Sequence, residues 1–141
     1  MTFMTNRLKF ARIAICLAVA ALGCKPSSQL PTAKVRGTVT VDGAPIPSGT
    51  VYFSPTKGRG ARGKIKTDGT FELTTYQEGD GAIMGEHAVF VIALDGGADE
   101  AEQSGPVKSL VPTKYSNPDT SELRFEVKPN EQNNAILKLM K

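Results

Sequence analysis

The chain has no tryptophan, 1 histidine and 2 cysteines among its 141 residues, and only 6% of it is aromatic. One imidazole does not make a multi-histidine metal site, and a lone thiol makes neither a disulfide nor a thiolate zinc site. Cys16 lies inside an apolar leader run, so Cys24 is the only thiol of the chain that follows. Acidic residues are absent before position 23, where Arg7, Lys9 and Arg12 stand. Taking those three from the 17 basic residues leaves 14, equal to the 14 acidic ones, so the net charge of +3 belongs to the leader. A neutral remainder means the sequence pI of about 8.9 is no sign of nucleic-acid binding, and no nucleic-acid partner is expected. Setting aside the first 23 of 141 residues leaves about 118, enough for one small domain. Gly 14 and Pro 9 point to many turns.

No apolar run is long enough to cross a bilayer as a helix: residues 13–22 make about ten, half of the ~20 required. That run follows a basic stretch and precedes small residues, which is the pattern of a secretory signal peptide over residues 1–23. Ala21, Leu22, Gly23 and Cys24 resemble the bacterial lipobox, in which the cysteine becomes the mature N-terminus. The resemblance implies lipidation at Cys24 and a membrane as the first partner. Two or more acyl chains anchor stably, because each buried CH₂ contributes about 0.8 kcal/mol. Residues 24–33 are polar, hold Pro26 and Pro31, and read as a flexible tether with a reach of roughly 30 Å.

From residue 34 the pattern has period two, the mark of strands. Val35, Val39 and Val41 alternate with Arg36, Thr38 and Thr40, placing the valines inside. A second strand over 50–54 turns Val51 and Phe53 inward, and a polar third over 62–67 reads as a sheet edge guarded by lysines. Asp68-Gly69 is a hairpin signal leading to Phe71 and Leu73. Residues 88–94 are apolar on both faces and predict a central strand covered on both sides. Strands over 123–127 and 135–139 complete seven. With no amphipathic helix, this predicts an all-β, seven-stranded antiparallel β-sandwich domain over residues 34–141. Residues 95–122 form a long connection. Its first half is acidic, Gly-rich and expected to be mobile; its second half, with Leu110, Val111 and Tyr115, is expected to be ordered.

Several phrases carry a resemblance. Residues 35–47, with Val35, Gly37, Val39, Thr40, Asp42, Gly43, Pro45 and Ile46, resemble the opening of carboxypeptidase regulatory-like (transthyretin-like) domains. Thr67, Asp68, Gly69, Phe71 and Leu73 are similar to that family's second phrase in shortened form, and Gly85, His87 and Val89 to its third. Residues 111–118, followed by 120–123, are similar to small lipoproteins of planctomycete-type bacteria. The resemblance implies a prealbumin-like sandwich that serves as an accessory module, without catalysis and without a cofactor.

The candidate sites are few. His87 is the only possible general base or imidazole ligand, and it stands without a second His or a nucleophile motif, so a structural role is expected. Lys57, Arg59, Arg62, Lys64 and Lys66 can meet an anionic lipid or polysaccharide; a solvated edge is the expectation, since only Tyr52, Tyr76 and Tyr115 are available to stack. Glu78, Asp80 and Glu86 follow no calcium-loop spacing and are expected to be solvated. Phe90, Ile92 and Leu94 form the outer face of the doubly apolar strand. Either Leu110, Val111 and Tyr115 fold back to cover them, which is the expectation, or the strip marks a partner surface. The function expected is a non-catalytic, membrane-tethered envelope lipoprotein with a structural or adhesive role. The alternative is a ligand-binding module for envelope polysaccharide or a partner protein.

Overall fold

The computed structural model describes residues 28–95 and 107–141. The leader, Cys24, the start of the tether and the acidic half of the long connection lie outside the described residues. The strands are β1 (Thr32–Ala33), β2 (Val35–Val41), β3 (Ala44–Pro45), β4 (Thr50–Pro55), β5 (Ala61–Lys64), β6 (Thr70–Glu72), β7 (Ala82–Ile83), β8 (Gly85–Ile92), β9 (Leu123–Val127) and β10 (Asn133–Leu139). One 3₁₀ turn, Thr113–Ser116, precedes β9.

Period-two alternation becomes two facing sheets. One has the order β10-β2-β3, with β6 also paired to β2; the other runs β5-β4-β8-β9. The inward set of the first sheet includes Val35, Val39, Phe71, Leu137 and Leu139, and that of the second Val51, Phe53, Val89, Val91 and Val127. All belong to a single apolar cluster. Phe53 sits at its centre, with ring centroids 6.4 Å from Phe71 across the core and 5.6 Å from Phe125. Each such side chain contributes about 1.5–3 kcal/mol by leaving water. The fold is all-β, with sheets that are mostly antiparallel.

One pair departs from the expected antiparallel sandwich. β10 runs parallel to β2, in register from Asn133↔Val35 to Leu139↔Val41. Tight turns impose antiparallel pairing only on strands they join. β10 follows β9, which lies in the other sheet, so no hairpin fixes its direction against β2. Gly37 accommodates this pair, since a Cβ there would run into the Ala135 carbonyl and the Phe71 ring.

The hairpin expected at Asp68-Gly69 is bonded at its two ends only. Lys66 N–H donates to Thr70 O, and Arg62 and Thr74 exchange both backbone bonds, at 3.0 and 2.9 Å. Between these points β5 pairs with β4 while β6 pairs with β2, so the turn is a corner that joins the sheets. Gly69, at φ +81°, adopts the left-handed conformation that the corner requires.

The tether ends sooner than expected. Thr32 and Ala33 pair with Ile83 and Ala82, and Met84 N–H donates to Pro31 O. A run with no apolar period can still donate and accept along its backbone, and this one is held that way.

The fifth expected strand is central, between β4 and β9, but is not covered on both sides. Ile92 is 38% exposed, while Phe90 and Leu94 are half-buried. The ordered half of the long connection does fold back, by a different route. Leu110 N–H bonds to Ala93 O, and Leu94 bridges Ser109, so the chain passes the end of β8. Val111 and Tyr115 then enter the core cluster rather than lying over Ile92, and the Tyr115 hydroxyl accepts a bond from Met140 N–H beyond β10.

A candidate ligand-binding face

Along β4, the residues between the buried Val51 and Phe53 and beyond must point away from the core. Tyr52 therefore lies on the outer face, and strand register decides what lies beside it. Its partner on β5 is Arg62 and its partner on β8 is Phe90, giving a transverse row of guanidinium, phenol and phenyl groups. The two rings stack, with centroids 4.8 Å apart and planes only 8° from parallel. An aromatic pair of this kind contributes about 0.5–1.5 kcal/mol beyond its buried area.

Beside the row runs a groove of about 400 Å³, lined by Tyr52, Phe90, Arg59, Arg62, Thr74 and Tyr76. Tyr76 is carried by a turn that Asp80 organises. The Asp80 carboxylate accepts backbone N–H bonds from Thr75, Tyr76 and Gln77, at 2.7, 2.9 and 3.0 Å. Thr75 Oγ1 donates to Gly81 O, and Gly79 N–H donates to Thr74 Oγ1. Desolvation pushes the Asp80 carboxyl up, but the three N–H donors together outweigh it and hold it below the ordinary aspartate range. The Tyr76 hydroxyl accepts a 3.3 Å bond from Leu30 N–H, which fixes the ring from the other side.

The expected basic run is divided by the fold. Arg59 and Arg62 enter this groove, whereas Lys66 lines a depression on the first sheet beside Arg36 and Lys57 lines another beside Leu30. Among the described residues, the ion pair is Arg36 with Glu72, at 3.2 Å, and neither groove arginine has a carboxylate partner. Of the three carboxylates considered together, Asp80 is a turn clamp rather than a solvated side chain, while Glu78 and Glu86 are exposed. No group of three or more His, Cys, Asp or Glu suited to a metal occurs among the described residues.

His87 is fully buried on the inner face of β8, beside the Phe53 ring at 5.7 Å. Its Nε2 lies 2.6 Å from the Ile83 carbonyl, and since a carbonyl only accepts, Nε2 carries the proton. Nδ1 is buried and has no hydrogen-bond partner among the described residues. That imidazole faces the core, out of reach of any surface substrate.

Of the residues singled out as an outer strip, Phe90 belongs to the groove, Ile92 stands exposed next to it, and Leu94 lies at the strand's end. The convergence of Phe90 with Tyr52 and Tyr76 was open to sequence reasoning in one respect. An aromatic between two inward residues of a strand must face outward, as Tyr52 does. No family model, curated protein or solved structure gives a significant match to the chain.

Proposed function

We propose that the chain is an exported, lipid-anchored protein of the bacterial cell envelope, whose β-fold is a non-catalytic structural or adhesive module. The observation that carries this reading is the leader: Arg7, Lys9 and Arg12, then the apolar residues 13–22, then Gly23 and Cys24. Such a segment directs export, and the thiol of Cys24 is the atom that takes the diacylglyceryl group. The phrases around Val35, Asp68 and His87 support a carboxypeptidase regulatory-like, prealbumin-like identity for the domain. The burial of His87, committed to the Ile83 carbonyl, supports the non-catalytic part of the reading.

A lipid anchor predicts a specific chemical form. The native protein, extracted from its own cells in detergent, should have the mass of residues 24–141 plus acyl chains, and Cys24→Ser should lose both the added mass and membrane partition. An unmodified mature mass would remove the anchor and leave an exported soluble domain. A second reading, a ligand-binding module for envelope polysaccharide or a partner protein, draws on the groove between Tyr52 and Tyr76.

A further inference from the structure

We infer that the groove on the outer face of the β5-β4-β8-β9 sheet binds an acidic polysaccharide, one whose sugars carry carboxylates. The inference rests on the ligand-binding reading and is independent of export and lipidation. Three features select this class of ligand.

The first is aromatic concentration. The chain has 3 Tyr and 6 Phe, and Tyr52, Tyr76 and Phe90 line this one groove. Tyr52 and Phe90 stack on each other, are half-buried, and both line the groove. The Tyr52 hydroxyl has no hydrogen-bond partner among the described residues. Ring faces with a free polar rim suit the alternating C–H and O–H surfaces of a sugar.

The second is uncompensated positive charge at the same place. Arg59 and Arg62 are exposed and without carboxylate partners among the described residues, although the chain beyond the leader is neutral as a whole. Lys64, two residues after Arg62 on the same edge strand, is also exposed. A guanidinium fork takes a carboxylate through two parallel bonds, a geometry that an ammonium does not reproduce.

The third feature separates a sugar from a peptide. Extended peptides dock on sheets chiefly through main-chain bonds to a free edge. Here the β5 edge at Arg62 is already spent, because Arg62 and Thr74 exchange both backbone bonds. The groove thus offers rings and charged forks without a backbone ladder. Its wall is also set in advance, since Asp80 and Leu30 hold the Tyr76 turn, and ordering before binding lowers the entropic cost of association.

The test is titration of the full chain in detergent with three probes: polygalacturonate, neutral dextran and poly-L-glutamate of matched charge. Polygalacturonate should bind most tightly, and the binding should weaken with added salt. Arg59→Ala combined with Arg62→Ala should weaken it roughly tenfold, the scale of a charge-assisted pair. Tyr52→Leu should weaken it about fivefold through loss of the ring face. Arg36→Ala, on the opposite sheet, should leave it unchanged. The arginines are exposed, so their variants keep the fold, and circular dichroism checks Tyr52→Leu. If poly-L-glutamate binds as tightly as polygalacturonate, the sugar assignment falls and an acidic protein partner takes its place. Equal losses from Arg36→Ala and from the groove variants would overturn the location. No binding to any of the three would overturn the inference, while the wider ligand-binding reading, which includes a folded protein partner, would not fall with it.

Discussion

The two sheets have similar inner faces and very different outer ones. Outside the first sheet, Arg36 and Glu72 are register partners and neutralise each other at 3.2 Å. The depression around them is about 530 Å³, larger than the groove on the second sheet at about 400 Å³. Yet its ring, Phe71, is buried, and its one large exposed apolar group, Ile136, stands alone. Scattered apolar residues of that kind are ordinary on a surface. Outside the second sheet, two rings stack across strands and two arginines lack acidic partners among the described residues. Size therefore ranks the two depressions in one order and recognition chemistry in the other. Chemistry decides, because affinity comes from desolvated rings and matched charges rather than from volume.

Both faces depend on one core, so damage there should erase the difference between them. Phe53 is 1% exposed and touches rings from β6, β8 and β9. Phe53→Ala should cost about 3–5 kcal/mol and remove most of the folding cooperativity, as measured by urea titration followed by circular dichroism. A loss below 1 kcal/mol would mean the sheets are held by something other than this cluster.

Asp80 supports only the second face, by fixing the turn that carries Tyr76. Asp80→Asn puts an amide donor against a backbone N–H and should cost about 1–2 kcal/mol. Acid should act in the same direction. Because the folded carboxyl is held low, its stabilisation is complete above the ordinary aspartate value of 3.8 and is lost as pH falls through the lower folded value. The Thr70 hydroxyl and N–H hold Asp68 low in the same way, so it adds to the acid limb with the same sign. Thermal melts from pH 6 down to pH 2 should fall less steeply for Asp80→Asn than for the parent chain. An unchanged acid limb would show that the clamp is not felt.

Much of the fold was legible because alternation reports burial directly. The expected strands 35–41 and 123–127 are β2 and β9 with the same limits, and the residues expected inward, Val35, Val39, Val41, Val51 and Phe53, are buried. Pairing was less legible, because a pattern along one strand says nothing about its neighbour. Hence the parallel β2–β10 pair was missed, and so was the Arg62–Tyr52–Phe90 row, which exists only through register. Asp80 was read as a surface carboxylate because its partners are backbone N–H groups, which leave no trace in residue identity. Of the candidate residues, Phe90 fell in the groove and the basic run supplied Arg59 and Arg62, while Cys24 lies outside the described residues.

The smallest effect should come from the first face. The Arg36 side chain is 67% exposed and that of Glu72 38%, so water and salt screen the pair, and such pairs contribute about 0–1 kcal/mol. Two of the Arg36 side-chain nitrogens, Nε and Nη2, donate to one oxygen, Glu72 Oε1, each at 3.2 Å, which is not the two-oxygen fork that gives Arg–carboxylate pairs their strength. Arg36→Ala should accordingly shift stability by less than about 0.5 kcal/mol. Its consequence should be electrostatic: Glu72 loses its ion-pair partner, one positive charge leaves the depression, and the first face becomes more acidic although Lys66 remains. An acidic polymer should be repelled there slightly more while its binding to the second face stays constant. A gain of acidic-polymer binding in Arg36→Ala would mean that the two faces do not differ in the way their ion pairing implies.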